Sequence, residues 1–135
     1  MAFTGNYTCN SFKSGLLSGD FDFDTDTIKM ALYTNSTTLD EDTAAYSSTG
    51  EVSASGYTAG GVTLTVEKGI SNNTAYISFE DATISAAFTA RGALIYKDGG
   101  AAICVLDFGS DKTSTTTFTV TFPTASSTDA LIRLS

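Results

Sequence analysis

The sequence has no histidine and no tryptophan, and it contains a single proline. Without histidine the chain lacks the commonest general base and the commonest zinc ligand, so neither a Ser-His-Asp triad nor a Cys-His pair can be built from it. The glycine pairs Gly60-Gly61 and Gly99-Gly100 stand at expected turns before strands, whereas a phosphate-binding loop precedes a helix. We therefore expect a protein that is not an enzyme and that uses no cofactor.

Basic residues are also scarce, with seven Lys and Arg against fifteen Asp and Glu and a net charge of −8. Nucleic acids and anionic membranes attract clustered Lys and Arg, so we expect neither as a partner. The first residues lack the basic and apolar regions of a signal peptide, and no apolar run approaches the roughly 18 residues of a membrane span. The net negative charge of the chain favours a basic or neutral protein partner.

The only two cysteines are Cys9 and Cys104, too few for a disulfide framework. Because the chain shows no export signal, we expect both thiols to be reduced and buried. A chain of 135 residues suits one domain, spanning residues 1–135, that folds without metals or disulfides.

Apolar residues recur with a period of two, which is typical of half-buried antiparallel strands. In residues 27–34, Ile28, Met30 and Leu32 share one face, while Thr27, Lys29 and Tyr33 share the other. The same alternation returns in residues 62–66, 75–79, 118–122 and 130–134.

Residues 90–96 and 101–108 are different, since they carry apolar side chains on both faces and are predicted to be central strands. The intervening Lys97-Asp98-Gly99-Gly100 indicates a hairpin, because glycine accepts the positive φ of tight turns. Before all the strands, Asn10 is predicted to cap a short helix over residues 11–18 that places Phe12 and Leu16 on one face and ends at Gly19.

These patterns predict an all-β fold, an antiparallel β-sandwich of about eight strands with one short N-terminal helix. Immunoglobulin-like and jelly-roll topologies are both compatible with them. Residues 35–55 are polar and are predicted to form a long loop, which in a compact domain is usually mobile or used in binding.

Four aspartates alternate in residues 20–26, where a strand would place all the carboxylates on one face and Phe21 and Phe23 on the other. A calcium site is one interpretation, but the EF-hand pattern fails because Thr25 stands at the glycine position and Ala31 at the final glutamate position. We favour an acidic edge strand that resists edge-to-edge pairing, and we expect no metal site.

Other charged residues are candidates for a catalytic or interaction site. Paired carboxylates could serve glycoside hydrolysis, but the candidates are neighbours in sequence and nothing places them across a cleft. Arg91 is a lone charge in an apolar segment, and we favour a structural salt bridge over an inter-subunit contact. The carboxylate candidates are Glu80 with Asp81, and Asp40 with Glu41 and Asp42.

Four strings, in this order, resemble a family of small structural proteins of tailed bacteriophages and prophages. They are residues 24–34 (DTDTIKMALYT), 51–61 (EVSASGYTAGG), 88–96 (FTARGALIY) and 105–112 (VLDFGSDK). With these strings the resemblance extends over nearly the whole chain. The family carries no catalytic motif that could be transferred to this sequence.

The resemblance implies a virion protein that is assembled in the host cytoplasm. The role we favour is a capsid decoration (cement) protein that contacts the major capsid protein, as a homo-oligomer, in particular a trimer. The alternatives are a tail or head–tail component, or a carbohydrate-binding sandwich on the tail.

Overall fold

The structure is a computed structural model that describes residues 3–135. Met1 and Ala2 lie outside the described residues; they belong to the segment on which the expectation of no signal peptide rests. The described chain is mostly β-structure with one short helix, which confirms the predicted fold class. The elements are β1 (Tyr7–Thr8), α1 (Asn10–Ser18), β2 (Ile28–Tyr33), β3 (Val62–Thr63), β4 (Val66–Ser71), β5 (Thr74–Phe79), β6 (Ala82–Ile84), β7 (Thr89–Lys97), β8 (Ala102–Thr113), β9 (Phe118–Val120) and β10 (Ile132–Leu134).

The strands form a sandwich-like arrangement of antiparallel sheets. A five-stranded sheet has the order β1-β8-β7-β2-β3, and opposite it lie a three-stranded sheet, β10-β5-β4, and the pair β6-β9. The core between them joins side chains from both layers, including Met30 and Ile95 from the first and Phe79 and Phe118 from the second. Burial of this apolar surface is the main stabilising contribution.

The central hairpin of β7 and β8 forms where the sequence predicts it. Gly99 has a φ of +77°, and the backbone N–H of Lys97 donates to the carbonyl of Ala101 at 3.0 Å. The register between β7 and β8 shifts after Ile95. Ile95 pairs with Cys104 and Tyr96 pairs with Ala102, so Ile103 is an extra residue without a partner on β7. This β-bulge turns both Ile103 and its neighbour Cys104 toward the core, which explains the loss of alternation in the sequence.

Strand β2 is buried on both faces, so the half-buried strand predicted for residues 27–34 is wrong. Tyr33, placed by the alternation on a polar face, is 1% exposed, and Ala31 is fully buried. Both belong to a second apolar cluster on the outer face of the five-stranded sheet.

Residues 35–55 form the cover of that outer face. Leu39 is buried in the outer cluster, and the Tyr46 ring stacks on Tyr96 with centroids 5.0 Å apart. The segment also runs along the edge of β2, where the N–H of Val52 donates to the carbonyl of Leu32 and the Val52 side chain joins the inner core. The segment has no regular strand, as predicted, but it is a packed structural layer and not the open loop that its composition indicated.

The N-terminal segment completes this cover at Gly92. A Cβ at this position would lie 2.4 Å from the ring of Phe3, so only glycine lets the ring rest on strand β7.

Helix α1 differs from its prediction at the start and agrees with it at the end. Asn10 is the first helical residue, and Cys9 takes the capping position with an extended backbone and no side-chain cap bond. Gly19 ends the helix in the left-handed conformation, with a φ of +76°. Phe12 is buried and Leu16 packs against the same core, so the predicted apolar face is confirmed.

Cys9 and Cys104 are free and buried, as predicted, and burial raises the pKa of Cys9 to about 11 and also raises that of Cys104. Because the thiolate is the reactive form, we expect alkylation of the native protein to be slow. In denaturant without reductant, mass spectrometry should find two labelled thiols. Rapid labelling of the native protein, or none in denaturant, would contradict this prediction.

Candidate interaction surface

The acidic residues 20–26 form a turn between α1 and β2, so the predicted edge strand is wrong. The N–H of Asp24 donates to the Asp22 carboxylate at 2.9 Å, and the N–H of Asp22 donates to that of Asp26 at 2.7 Å. The bond from Asp24 is the main cause that holds the pKa of Asp22 below its usual value. Phe21 and Phe23 do turn inward, where their stacked rings pack against the core.

Lysines from two other elements lie against this turn. Lys68 of β4 pairs with Asp24 at 2.9 Å, and Lys97 at the end of β7 pairs with Asp26 at 3.3 Å. Part of the negative charge is therefore balanced within the chain. In residues 3–135 no group of three or more His, Cys, Asp or Glu side chains is arranged to hold a metal ion.

Three of the other carboxylates considered as catalytic pairs accept hydrogen bonds from groups within the chain. Asp40 accepts from the N–H of Asp42, and Asp42 accepts from the side-chain amide of Asn10 at 3.0 Å. Asp81 accepts from the N–H of Phe122 at 3.1 Å. These bonds fix turns and strand ends.

Arg91 forms an ion pair within the chain. Its guanidinium bonds to Asp107 on the neighbouring strand β8, and both side chains are 13% exposed. The guanidinium carbon also lies 5.8 Å from the centre of the Phe3 ring. The structural interpretation of this residue is confirmed.

The most concentrated polar network among the described residues centres on Glu51, a residue that no sequence motif marks. Its carboxylate accepts bonds from the hydroxyl of Tyr46 at 2.5 Å, the hydroxyl of Tyr57 at 2.6 Å and the N–H of Gly60 at 2.8 Å. The Tyr57 hydroxyl accepts in turn from the N–H of Leu32 in β2. These bonds fasten the covering segment to the sheet.

The phenols around Glu51 are held in their protonated form. Burial, aided by the nearby carboxylate, raises the pKa of Tyr46 to about 12 and raises that of Tyr57 further. Burial likewise raises the pKa of Tyr96 to about 12, and its hydroxyl donates to the carbonyl of Gly60 at 2.6 Å. The hydroxyls of Tyr46, Tyr57 and Tyr96 are all engaged in hydrogen bonds, so the network fastens the covering segment to the sheet.

A groove between helix α1 and the three-stranded sheet is the most exposed apolar feature. The register places Ile70, Ala75 and Leu134 in one row across β4, β5 and β10, on the face that further along packs into the core. At this end the sandwich is open, because Ile70 is 75% exposed and Leu134 is 55% exposed. Leu16 of α1 lines the opposite wall, and the groove has a volume of about 380 Å³.

A second groove of about 560 Å³ continues from the first and shares Phe12, Leu16, Ile132 and Leu134 with it. The charged side chains that line the two are Lys68 in the first and Lys13 and Arg133 in the second. No Asp or Glu side chain is among the described residues that line either groove. The continuous depression, called here the α1 groove, is therefore apolar and cationic on a chain of net charge −8.

Comparison with known proteins adds no relative. No protein-family model matches the chain, and no curated protein and no solved structure matches it. Within residues 3–135, no helix is long and apolar enough to cross a bilayer.

We expect the acidic turn to bind no calcium specifically, because its carboxylates bond to backbone groups and to Lys68 and Lys97. Calorimetric titration with Ca²⁺ should give no binding tighter than about millimolar, the weak end of the range for calcium sites in proteins. Micromolar binding that disappears in Asp22→Asn and Asp24→Asn would show this prediction to be wrong.

Glu51→Gln should destabilise the fold by about 1–3 kcal/mol, because the amide cannot accept all three hydrogen bonds and turns a donor toward other donors. The matched control is Glu67→Gln on exposed β4, which removes the same charge and should stay within about 0.5 kcal/mol of wild type. Urea unfolding measures both. Equal effects of the two substitutions would refute a fastening role for Glu51.

Proposed function

We propose that this chain is a non-enzymatic structural protein of a tailed-bacteriophage virion, a decoration (cement) protein that binds the outer capsid surface. In this role its partner is the major capsid protein, and it acts as a homo-oligomer, in particular a trimer. Each copy adds contacts across a seam between capsomers and so stabilises the shell against the pressure of the packaged DNA. Modest individual contacts suffice, because linked sites act together through effective concentration.

The observation that carries the proposal is the ordered resemblance to phage structural proteins. Its strings fall on elements that build the scaffold: β2, the Glu51 network, β7 and β8 from its fourth residue, Val105, onward. The proposed role is the one that this resemblance implies.

The distribution of polar and apolar groups supports a role in assembly. The buried polar groups of the Glu51 network and the Arg91–Asp107 pair are occupied with one another. By contrast, large apolar side chains are left exposed at the α1 groove, and exposed apolar patches mark contacts with other macromolecules. The acidic remainder of the surface would suit a basic patch on a shell.

The first test is the amount of this protein in purified particles. Quantitative mass spectrometry should find a copy number of the same order as that of the major capsid protein, and washing at high salt should lower it, because salt screens surface charges. A copy number of only a few per particle would exclude the cement role and favour the tail or head–tail alternative.

The second test is mechanical. Particles that lack the protein should still assemble, but they should release DNA at a lower temperature or under milder osmotic shock than complete particles. Adding the purified protein back should restore the resistance, which controls for damage during preparation. Equal resistance with and without the protein would contradict a reinforcing role.

A further inference from the structure

The geometry points to the α1 groove as the surface through which copies of this chain bind one another. The occupant is the exposed side of helix α1 and the acidic turn after it, both from a second copy. This inference deepens the proposed function and rests on it, since it names the contact that a homo-oligomer would use.

The apolar side chains supply the first argument. In the described part of the chain the exposed large hydrophobic residues are Leu17, Ile70 and Leu134, with exposed fractions of 93%, 75% and 55%. Ile70 and Leu134 form the open row of the groove, and Leu17 follows Leu16, which lines its other wall. Covering these three side chains in an assembly would remove this apolar surface from water.

Charge identifies the occupant. Lys13, Lys68 and Arg133 line the groove, and no carboxylate side chain lines it with them. Lys68 already pairs with Asp24 of its own chain at 2.9 Å, so Lys13 and Arg133 supply the charge that a partner meets. With all three set aside, four basic residues remain against fifteen acidic ones, so the rest of the surface is more acidic than the net charge suggests. A second copy therefore presents the acidic surface that a cationic groove attracts.

The most exposed apolar side chain is close in sequence to acidic residues. Leu17 is near the end of α1, and the turn that begins at Asp20 follows directly, with the exposed carboxylates of Asp20 and Asp22. Such a segment offers an apolar side chain for the open row and carboxylates for the cations at its rim. The two complementary surfaces differ, so the contact is head-to-tail. Such contacts form a ring, for example a trimer, when the rotation between neighbouring copies closes, and an open filament when it does not.

The test uses the purified chain alone, in sedimentation equilibrium across a range of concentrations. Wild type should sediment as a multiple of the 14.0 kDa chain, whereas Ile70→Lys should sediment as a monomer. The matched control is Thr83→Lys, which adds the same side chain to an exposed strand position that does not line the groove and should leave the multimer intact. A monomeric wild type, or an Ile70→Lys variant that remains multimeric, would overturn the inference.

A mixing experiment tests the occupant. Leu17→Lys should also be monomeric, because it alters the inserted side chain and leaves the groove unchanged. An equal mixture of Leu17→Lys and Ile70→Lys should associate in pairs, since one variant retains the groove and the other retains Leu17. If the mixture stays monomeric while wild type is multimeric, another partner surface occupies the groove and the assignment of Leu17 is wrong.

Two further measurements test the contribution of charge to the association. Lys13→Glu should weaken association by about tenfold or more, a loss of about 1.4 kcal/mol, and the wild-type multimer should weaken as salt rises. If neither Lys13→Glu nor a higher salt concentration weakens the association, the charge argument is wrong. Because these measurements contain no phage particles, a monomeric wild type overturns this inference and the oligomer but not binding to the capsid. A low copy number in particles overturns the cement role but not the contact between copies.

Discussion

The central β7–β8 hairpin sets the constraint on which the rest of the structure depends. Its strands are apolar on both faces, and the bulge at Ile103 directs an additional side chain to the core. A sheet with such strands at its centre must be covered on both sides, because either exposed face would leave a large apolar area in water. The second β-layer covers one face, and residues 35–55 together with Phe3 cover the other.

The polar cover stays in place because a few strong bonds hold it. Residues 35–55 contribute few buried apolar side chains, chiefly Leu39 and Val52. The Glu51 carboxylate compensates by joining Tyr46, Tyr57 and the backbone of Gly60, and a bond to a charged group is stronger than one between neutral groups. A layer that sequence composition describes as a loop thereby becomes part of the rigid framework.

The groove between helix α1 and the three-stranded sheet leaves apolar side chains in contact with water. The three-stranded sheet extends one row beyond the core, and helix α1 covers this row only partly, so Ile70 and Leu134 remain in water. The interior polar groups are occupied with one another, while this edge is apolar and bordered by cations. A chain with an uncovered apolar edge of this kind is suited to contact with another macromolecule.

The sequence by itself determined the all-β class, the central hairpin, the end of helix α1 and the burial of both thiols, because period, turn residues and side-chain size act over a few neighbouring positions. It predicted wrongly the conformation of the acidic turn, the exposure of the face that carries Tyr33 and the residue that caps the helix. It could not reveal the Glu51 network or the α1 groove. Both join residues far apart in the chain, so only the packing of the sheets and of residues 35–55 decides which polar groups meet and which apolar row is left uncovered.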